Sequence, residues 1–420
     1  MTTTINNKNK KPNVPNLRFP EFQGEWEEST IGEMFDLYSG NTPSRLNKEH
    51  FKGTVNWISS GELKEHYIYS SKEQISEEAA KSLKLLPVGT FVIAIYGLEA
   101  DGVRGTGSIT QEPSTISQAC MSFIPKGVIE NEFLYSWYKK HGNVIGIRYA
   151  QGTKQQNLSY DILEKFRIAY PNTKEQEKLN KFISLLDERI ATQNKIIEDL
   201  KKLKSAIIEK VFCSPNQKNP MCRIEGFEQA LSTYKMSDFS SRIATKNKDS
   251  KCSLVLTIAA QYGLVNQESF FNKSVASKNL TGYYLLHKGE FAYNRSYSAG
   301  YDWGAVKRLD NYDEGVLSTL YICFKINETI VDSDYLTYYF ESTKWHRGLS
   351  DIAGEGARNH GLLNVSITDY FNTKHRFPVI EEQKAIAKML NTITEKERKA
   401  TLLGECYQKQ KQYLLRQMFI

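Results

Sequence analysis

The sequence predicts an α+β protein: two α/β globules related by a pseudo-two-fold axis and separated by two long, antiparallel, coiled-coil-like helices. Three observations carry this prediction. First, much of the chain occurs twice. Leu85-Leu86-Pro87-Val88-Gly89-Thr90-Phe91 returns as Leu285-Leu286-His287-Lys288-Gly289-Glu290-Phe291, so position 85 maps onto 285, a shift of 200. Ile116-Ser117 pairs with Leu317-Ser318, Phe133-Leu134-Tyr135 with Tyr335-Leu336-Thr337, and Asn157-Leu158-Ser159 with Asn364-Val365-Ser366. Pro171, Glu175 and Gln176 pair with Pro378, Glu382 and Gln383, where position 171 maps onto 378 and the shift is 207. Small insertions in surface loops produce such a drift, and a repeat this long is a domain with its connection, not a solenoid unit. Second, each repeat ends in a long stretch with helical 3-4 apolar spacing. Third, short β-prone runs broken by turn signals precede the first such stretch.

The elements follow in order. Residues 1–16 are rich in Asn and Lys, are broken by Pro12 and Pro15, and read as a flexible tail. The first globule spans 17–172. Its strand candidates include Val55-Asn56-Trp57-Ile58, Thr90 to Tyr96, and Cys120 to Ile124, punctuated by Gly97, Gly102, Gly105 and Gly107. One helix lies inside it, around Glu132 to Tyr138. The central long helix covers 173–213. Thr173-Lys174-Glu175-Gln176 has capping-box spacing after Pro171. No Gly or Pro follows until past Phe212, which allows about 40 residues and ~60 Å of helix. Its seam runs Ile183, Leu186, Ile190, Ile197, Leu200, Ile207 and Val211, interrupted by Gln193 and Lys204.

A linker opens the next segment, 214–379, which holds the second globule. The last segment, 380–420, is a second long helix with a poorer seam: Leu390, Ile393, Ala400, Tyr407, Leu414 and Met418, with Glu397 and Gly404 at seam positions. Ile380 stands where Thr173 stands, so no capping box is expected there. Gly404, about 1 kcal/mol worse than Ala in a helix, predicts fraying or a bend. Each helix could pack on its own globule. Alternatively the two pair antiparallel, and the duplication favours this, because like seams on like domains pack most simply by symmetry.

Bulk properties exclude several classes. At 420 residues, with 40% hydrophobic and 25% charged residues, the chain has the composition of a globular protein of two or three domains. No apolar run reaches the ~18 residues of a membrane span, and the N-terminal residues lack the apolar core of a signal peptide. The cysteines form no C-x-x-C pair, so free thiols and a cytoplasmic location, with no membrane partner, are expected. A net charge of +7 permits a nucleic-acid partner without demanding one. Catalytic motifs are missing. There is no phosphate-binding loop, no G-x-G-x-x-G and no metal-ligand spacing among the histidines. Asn219-Pro220-Met221-Cys222 lacks the second proline and the aromatic of an amino-methyltransferase loop. Glu382-Gln383-Lys384 mimics a nuclease carboxylate-lysine pair, but its place at a helix start reads as ordinary solvated charge.

The chain resembles the specificity subunit of type I restriction-modification systems. The resemblance covers about Leu17 to Ile420. It rests on the opening Leu17-Arg18-Phe19-Pro20-Glu21-Phe22 with Trp26, the Leu-Leu-x-x-Gly-x-Phe turns at Gly89 and Gly289, Tyr293-Asn294-Arg295, and Pro followed by Glu-Gln at each helix start. Each string is weak alone; their order, twice over, is specific. The resemblance implies two target-recognition domains joined by paired helices, and no catalysis by the subunit itself. It implies double-stranded DNA as ligand, read as two half-sites around a spacer. Its protein partners would be two modification subunits that methylate adenine with S-adenosylmethionine, and restriction subunits that use ATP and Mg2+. A helical strut would then set the separation and phase of two readers on B-DNA, whose turn is about 34 Å. The halves share a frame but differ between its landmarks, which predicts an asymmetric target. The junctions around Glu175-Gln176 and Glu382-Gln383 are candidate docking points for the modification subunits.

DNA readers should lie on loops and carry forked donors or amides. Lys154, Gln155 and Gln156 follow Gly152, and Gln suits adenine; Arg358, Asn359 and His360 lie among Gly354, Gly356 and Gly361, where Arg suits guanine and Asn adenine. Tyr96 and Arg104 in the first half, and Asn294, Arg295, Tyr297, Lys307 and Arg308 in the second, form a further tier. Tyr96 and Tyr297 could instead be core, and Lys307 and Arg308 could touch phosphate alone. A stand-alone helical protein-interaction scaffold is the alternative reading, and an enzyme comes third.

Overall fold

The structure is a computed structural model, and residues 13–100, 102–152, 156–273, 279–296, 300–352, 363 and 365–420 are described. The chain divides into two compact units, 1–194 with 402–420, and 195–401. The central long helix runs Thr173–Val211 and the C-terminal one Ile380–Met418, 39 residues each. The second is unbroken through Gly404, so the fraying expected there does not occur. Gly404 is buried, and its missing side chain sits on a packed face, not at a weak point.

In the first unit the strands are β1 (Glu27–Thr30), β2 (Phe35–Ser39), β3 (Val55–Ile58), β4 (Tyr67–Ile68), β5 (Gln74–Ile75), β6 (Phe91–Ala94), β7 (Gly107–Thr110), β8 (Ser114–Ile116), β9 (Cys120–Pro125) and β10 (Arg167–Tyr170). The main sheet has the order β2-β9-β6-β7-β4; β5-β3-β8 forms a second sheet, and β1 pairs with β10. β6 is buried on both faces, which is why Phe91 to Ala94 reads as continuous apolar sequence with no alternation. The helix Asn131–Tyr149 covers the sheet with Phe133, Leu134, Trp137 and Tyr138.

The second unit repeats the plan. Its strands are β11 (Ser232–Lys235), β12 (Ser240–Arg242), β13 (Leu256–Ala259), β14 (Gly263–Asn266), β15 (Tyr284–His287), β16 (Phe291–Asn294), β17 (Ala305–Arg308), β18 (Glu314–Leu317), β19 (Ile322–Ile326) and β20 (Lys374–Phe377). Its main sheet is β12-β19-β16-β17, and β11 pairs with β20 as β1 does with β10. The repeated turns behave alike. Gly89 and Gly289 have φ of 83° and 88°, values that favour glycine. Their N–H groups donate to Thr110 O (2.7 Å) and Leu309 O (2.9 Å). The halves diverge beside the main sheet: a small core of Trp57, Ile75 and Ala79 lies under β3 and β5, where the second unit places the β13-β14 hairpin.

Each unit contains the start of one long helix packed antiparallel on the end of the other. In the first, Asp187 pairs with Lys411, and Arg189 Nη2 donates to Tyr407 Oη at 2.8 Å, so the partner number falls as the helix advances. In the second, Lys204 and Glu397, the charges that interrupt the two seams, form an ion pair of 2.9 Å. The helix ends are anchored alike. Phe419 packs on Phe133 at 5.3 Å between ring centres, and Phe212 on Tyr335 at 5.0 Å. Leu17 N–H donates to Gln417 O, and Cys222 N–H to Lys210 O, both at 3.0 Å.

The helix starts differ from the sequence reading. Asn172, not Thr173, caps the central helix, with its Oδ1 accepting Glu175 N–H at 3.1 Å. Gln176 therefore closes no capping box. Its Oε1 accepts Glu130 N–H (3.0 Å) and its Nε2 donates to Val128 O (3.2 Å) and Pro171 O (2.9 Å). Gln383 does the same with Asp332 N–H (2.9 Å), Ile330 O (3.1 Å) and Pro378 O (2.9 Å). Glu175 binds Arg18 through two 2.7 Å contacts, and Glu382 binds Arg223 at 3.0 and 2.5 Å. Glu175, Gln176, Glu382 and Gln383 are at most 1% exposed, so the expectation of solvated charge at the helix starts is corrected. A charge so buried is tolerated because a planar guanidinium satisfies both carboxylate oxygens.

Candidate nucleic-acid interface

The site follows from where β6 and β16 end. Beyond Ala94 the chain leaves the strand before returning as β7, and residues 150–152 and 156–158 are zipped along the residues that follow Ala94. Leu158 N–H donates to Ile95 O (2.8 Å) and Leu98 N–H to Gln156 O (3.1 Å). Gln151 and Asn157 exchange backbone bonds of 2.8 and 2.9 Å, and Tyr96 forms a bridge with Asn157. Two candidates meet directly: Arg104 Nη2 donates to Gln156 Oε1 at 2.7 Å. Glu99 accepts Gln156 N–H at 2.7 Å, and this bond, with the nearby Arg104 charge, holds its carboxyl below the usual range. Sequence reasoning missed Glu99, although its place five residues before Arg104 in a Gly-bounded loop was a usable signal. Tyr96 is half-buried against the core, between its two readings.

The second unit brings the corresponding segments together. Leu363 N–H donates to Arg295 O at 2.9 Å. The Arg295 side chain is committed to the frame. Its Nη1 donates to Val365 O (3.1 Å), while Nε and Nη2 donate to Leu320 O (3.3 and 3.2 Å). It staples three loops instead of presenting a free fork. Asn294 Oδ1 accepts Ser296 N–H (3.0 Å), which orders the exit from β16.

Lys307 and Arg308 sit elsewhere. In the β16-β17 ladder Asn294 faces Ala305 and Phe291 faces Arg308, so Arg308 lies at the opposite end of the hairpin from the loop, about 10 Å away at ~3.3 Å per residue. Arg308 is an internal ion-pair centre, bound to Asp310 (2.7 Å), Asp334 (2.8 Å) and Ser333 Oγ (2.7 Å). Lys307 is pushed down by burial, with Glu341 opposing the shift. Arg308 is thus engaged by three groups of its own unit, and Lys307 is half-buried. Lys154, Gln155, Tyr297, Arg358, Asn359 and His360 lie outside the described residues.

Among the described residues, no group of three or more His, Cys, Asp or Glu could hold a metal ion, and no helix is long and apolar enough to cross a membrane. One polar cluster stands apart from the loops. His66 lies between the rings of Tyr67 (4.1 Å, 9°) and Tyr135 (3.9 Å, 4°). Its Nε2 is 2.9 Å from Glu132 and its Nδ1 3.2 Å from Asp187 on the central helix. Carboxylates at both ring nitrogens favour the protonated imidazole.

Residues 23–202 match the family described as the type I restriction modification DNA specificity domain. Over 206 residues the chain is 31% identical to the type I restriction enzyme EcoR124I/EcoR124II specificity subunit of Escherichia coli, covering 48% of this chain and 50% of that one. Over 194 residues it is 28% identical to the MjaIX specificity subunit of Methanocaldococcus jannaschii, covering 45% of this chain and 44% of that one. The matched region thus spans about half the length of these relatives. The crystal structure of the S subunit of a type I restriction-modification system from M. genitalium aligns over 97% of this chain and 99% of that one, with a TM-score of 0.56 at 16% identity. That likeness shows a shared fold along the whole chain. Residues 23–202 are therefore similar in sequence to the type I restriction modification DNA specificity domain, and the chain is similar in fold to the M. genitalium S subunit.

Proposed function

We propose that this chain is the non-catalytic specificity subunit of a type I restriction-modification complex. It binds an asymmetric bipartite DNA site, one half-site per unit, and recruits two adenine-N6 methyltransferase subunits and, through the complex, the restriction subunits. S-adenosylmethionine, ATP and Mg2+ are used by those partners. One observation supports this reading above the rest. Both units fold their β6 or β16 loop against the segment before the next helix, yet the side chains there differ, with Arg104 and Gln156 in one and Arg295 stapled inward in the other. A shared frame with unlike loop residues suits two different readouts.

The modification subunits cannot grip the Glu175-Gln176 and Glu382-Gln383 side chains, which are buried. Outward apolar residues on the long helices, such as Leu185 and Leu203, are the better docking candidates; they are 54% and 50% exposed. The test is to express the gene with its neighbouring methyltransferase and sequence the methylated genome. An asymmetric bipartite adenine motif is expected, and a palindromic motif sinks the two-reader proposal. A gel shift of the complex should weaken steeply with salt as phosphate contacts are lost, and the absence of any shift would remove the DNA reading in favour of a protein scaffold.

A further inference from the structure

We propose that Arg104 reads a guanine in the half-site of the first unit, with Gly146, Glu99 and Gln156 as its positioning residues. The inference rests on the loop cluster being a DNA interface and names the base that it takes. The stem of Arg104 is seated first. A Cβ built on Gly146 would stand 2.6 Å from Arg104 Cγ and 3.1 Å from Cδ, so the arginine stem occupies the space that any other residue at 146 would fill. At Gly105 a Cβ would stand 2.7 Å from the backbone N of Asn143, so the loop lies directly on the helix Asn131–Tyr149.

The head is oriented next. Gln156 Oε1 accepts one Nη2 hydrogen at 2.7 Å. That glutamine is fixed by its own N–H to Glu99 (2.7 Å) and by its carbonyl to Leu98 N–H (3.1 Å). Its amide oxygen is therefore turned to Arg104 and not offered to an adenine.

What remains is a fork. A guanidinium carries five N–H donors. Nε is buried with no hydrogen-bond partner among the described residues, and one Nη2 hydrogen goes to Gln156. Both Nη1 hydrogens and one Nη2 hydrogen are left, so each Nη nitrogen still has a donor, and two such donors match O6 and N7 of guanine in the major groove. Because stem and head are ordered before DNA arrives, little rotamer freedom is lost on contact. Phe91 faces Ile109 in the first unit and Phe291 faces Arg308 in the second, so Trp303, not an arginine, stands at the place of Arg104 there. This reader therefore serves one half-site alone.

The complex of this chain with its methyltransferase, titrated on duplexes of the methylated motif carrying single 7-deazaguanine replacements, tests the proposal. Removing N7 at one guanine of one half-site should weaken wild-type binding about tenfold, and R104A should ignore that replacement while losing roughly 5- to 100-fold on the unmodified site. R104M, which keeps the stem but donates no hydrogen bond, should also ignore it, so a folding defect in R104A leaves the test intact. Q156A should blunt the N7 sensitivity and Q156E, which keeps the acceptor, restore it. Undiminished sensitivity of R104M at every position overturns the proposal while leaving the DNA reading in place. So does an equal loss by R104A on specific and random duplexes, the signature of a phosphate contact. Failure of the wild-type complex to bind any duplex would overturn the DNA reading and this inference with it.

Discussion

At the scale of single residues, the strongest constraints are Arg18-Glu175 and Arg223-Glu382. Each joins the opening of a unit to the first turn of a long helix, at a carboxylate 1% exposed. Removing one partner strands a buried charge, at a cost of about 3–5 kcal/mol. R223A, which leaves Glu382 unpaired, should therefore lower the denaturation midpoint far more than R223M/E382M, which removes both charges; equal losses would show the pair to be unimportant. His66 sets a pH dependence. Burial depresses its pKa, but hydrogen bonds to Asp187 and Glu132 outweigh that and leave it raised. A raised folded value means the contribution is complete below the unfolded pKa of about 6.5 and is lost as pH climbs through the higher folded value. His375 runs the other way. Burial pushes it down to about 3, so its contribution is present above about 6.5 and is lost as pH falls toward 3. Melting temperature followed upward from pH 6.5 should fall more in the wild type than in H66Q, and parallel curves would exclude the His66 clasp.

At the scale of elements, the long helices carry a mixed seam. Ile183 and Ile190 in one unit, and Ile208 and Val211 in the other, are buried, while Ile197 and Leu200 in the middle are only half-buried. The Lys204-Glu397 pair lies in that weaker stretch, with side chains 21% and 17% exposed. Partly buried pairs gain little net stability, because desolvation offsets attraction. K204L/E397L should stabilise the protein by about 1–2 kcal/mol, and K204E should destabilise it by placing like charges across the seam. Thermal unfolding of the two variants decides it, and a less stable double leucine variant would show that the pair contributes more than a hydrophobic contact. The hairpins show why strand position matters. Lys307 and Arg308 are close in sequence to Asn294, yet the antiparallel return carries them toward the far end of the ladder, where Arg308 meets Asp310 and Asp334.

At the scale of the molecule, duplication gives one frame with two readouts. Changes in the loops of one unit should alter one half of the methylated motif and leave the other untouched. R358A, in the second unit, should relax only the half-site that R104A leaves intact. Methylation sequencing of the two variants side by side measures this, and simultaneous relaxation of both halves would contradict the assignment of one half-site per unit.

Much of this organisation was legible in the amino-acid order alone. The repeat, the two long helices and the paired Pro-Glu-Gln junctions follow from spacing, since helix periodicity and turn residues are local properties. The equivalence of Arg18 and Arg223 was legible too, at a shift of 205, but short divergent strings hid it. What spacing could not supply is the partner of each polar side chain. Glu175 and Glu382 looked solvated because a charge at a helix start usually is; only the arriving arginine, 157 or 159 residues distant, makes burial tolerable. Gly404 looked like a break because its helix propensity is poor, and packing of a buried face outweighs that. Arg104, Arg295 and Arg308 are chemically identical in the sequence. Tertiary contacts turn one toward Gln156 with a free fork, one onto backbone carbonyls and one onto two aspartates, because a guanidinium's role depends on which of its donors the fold has already used.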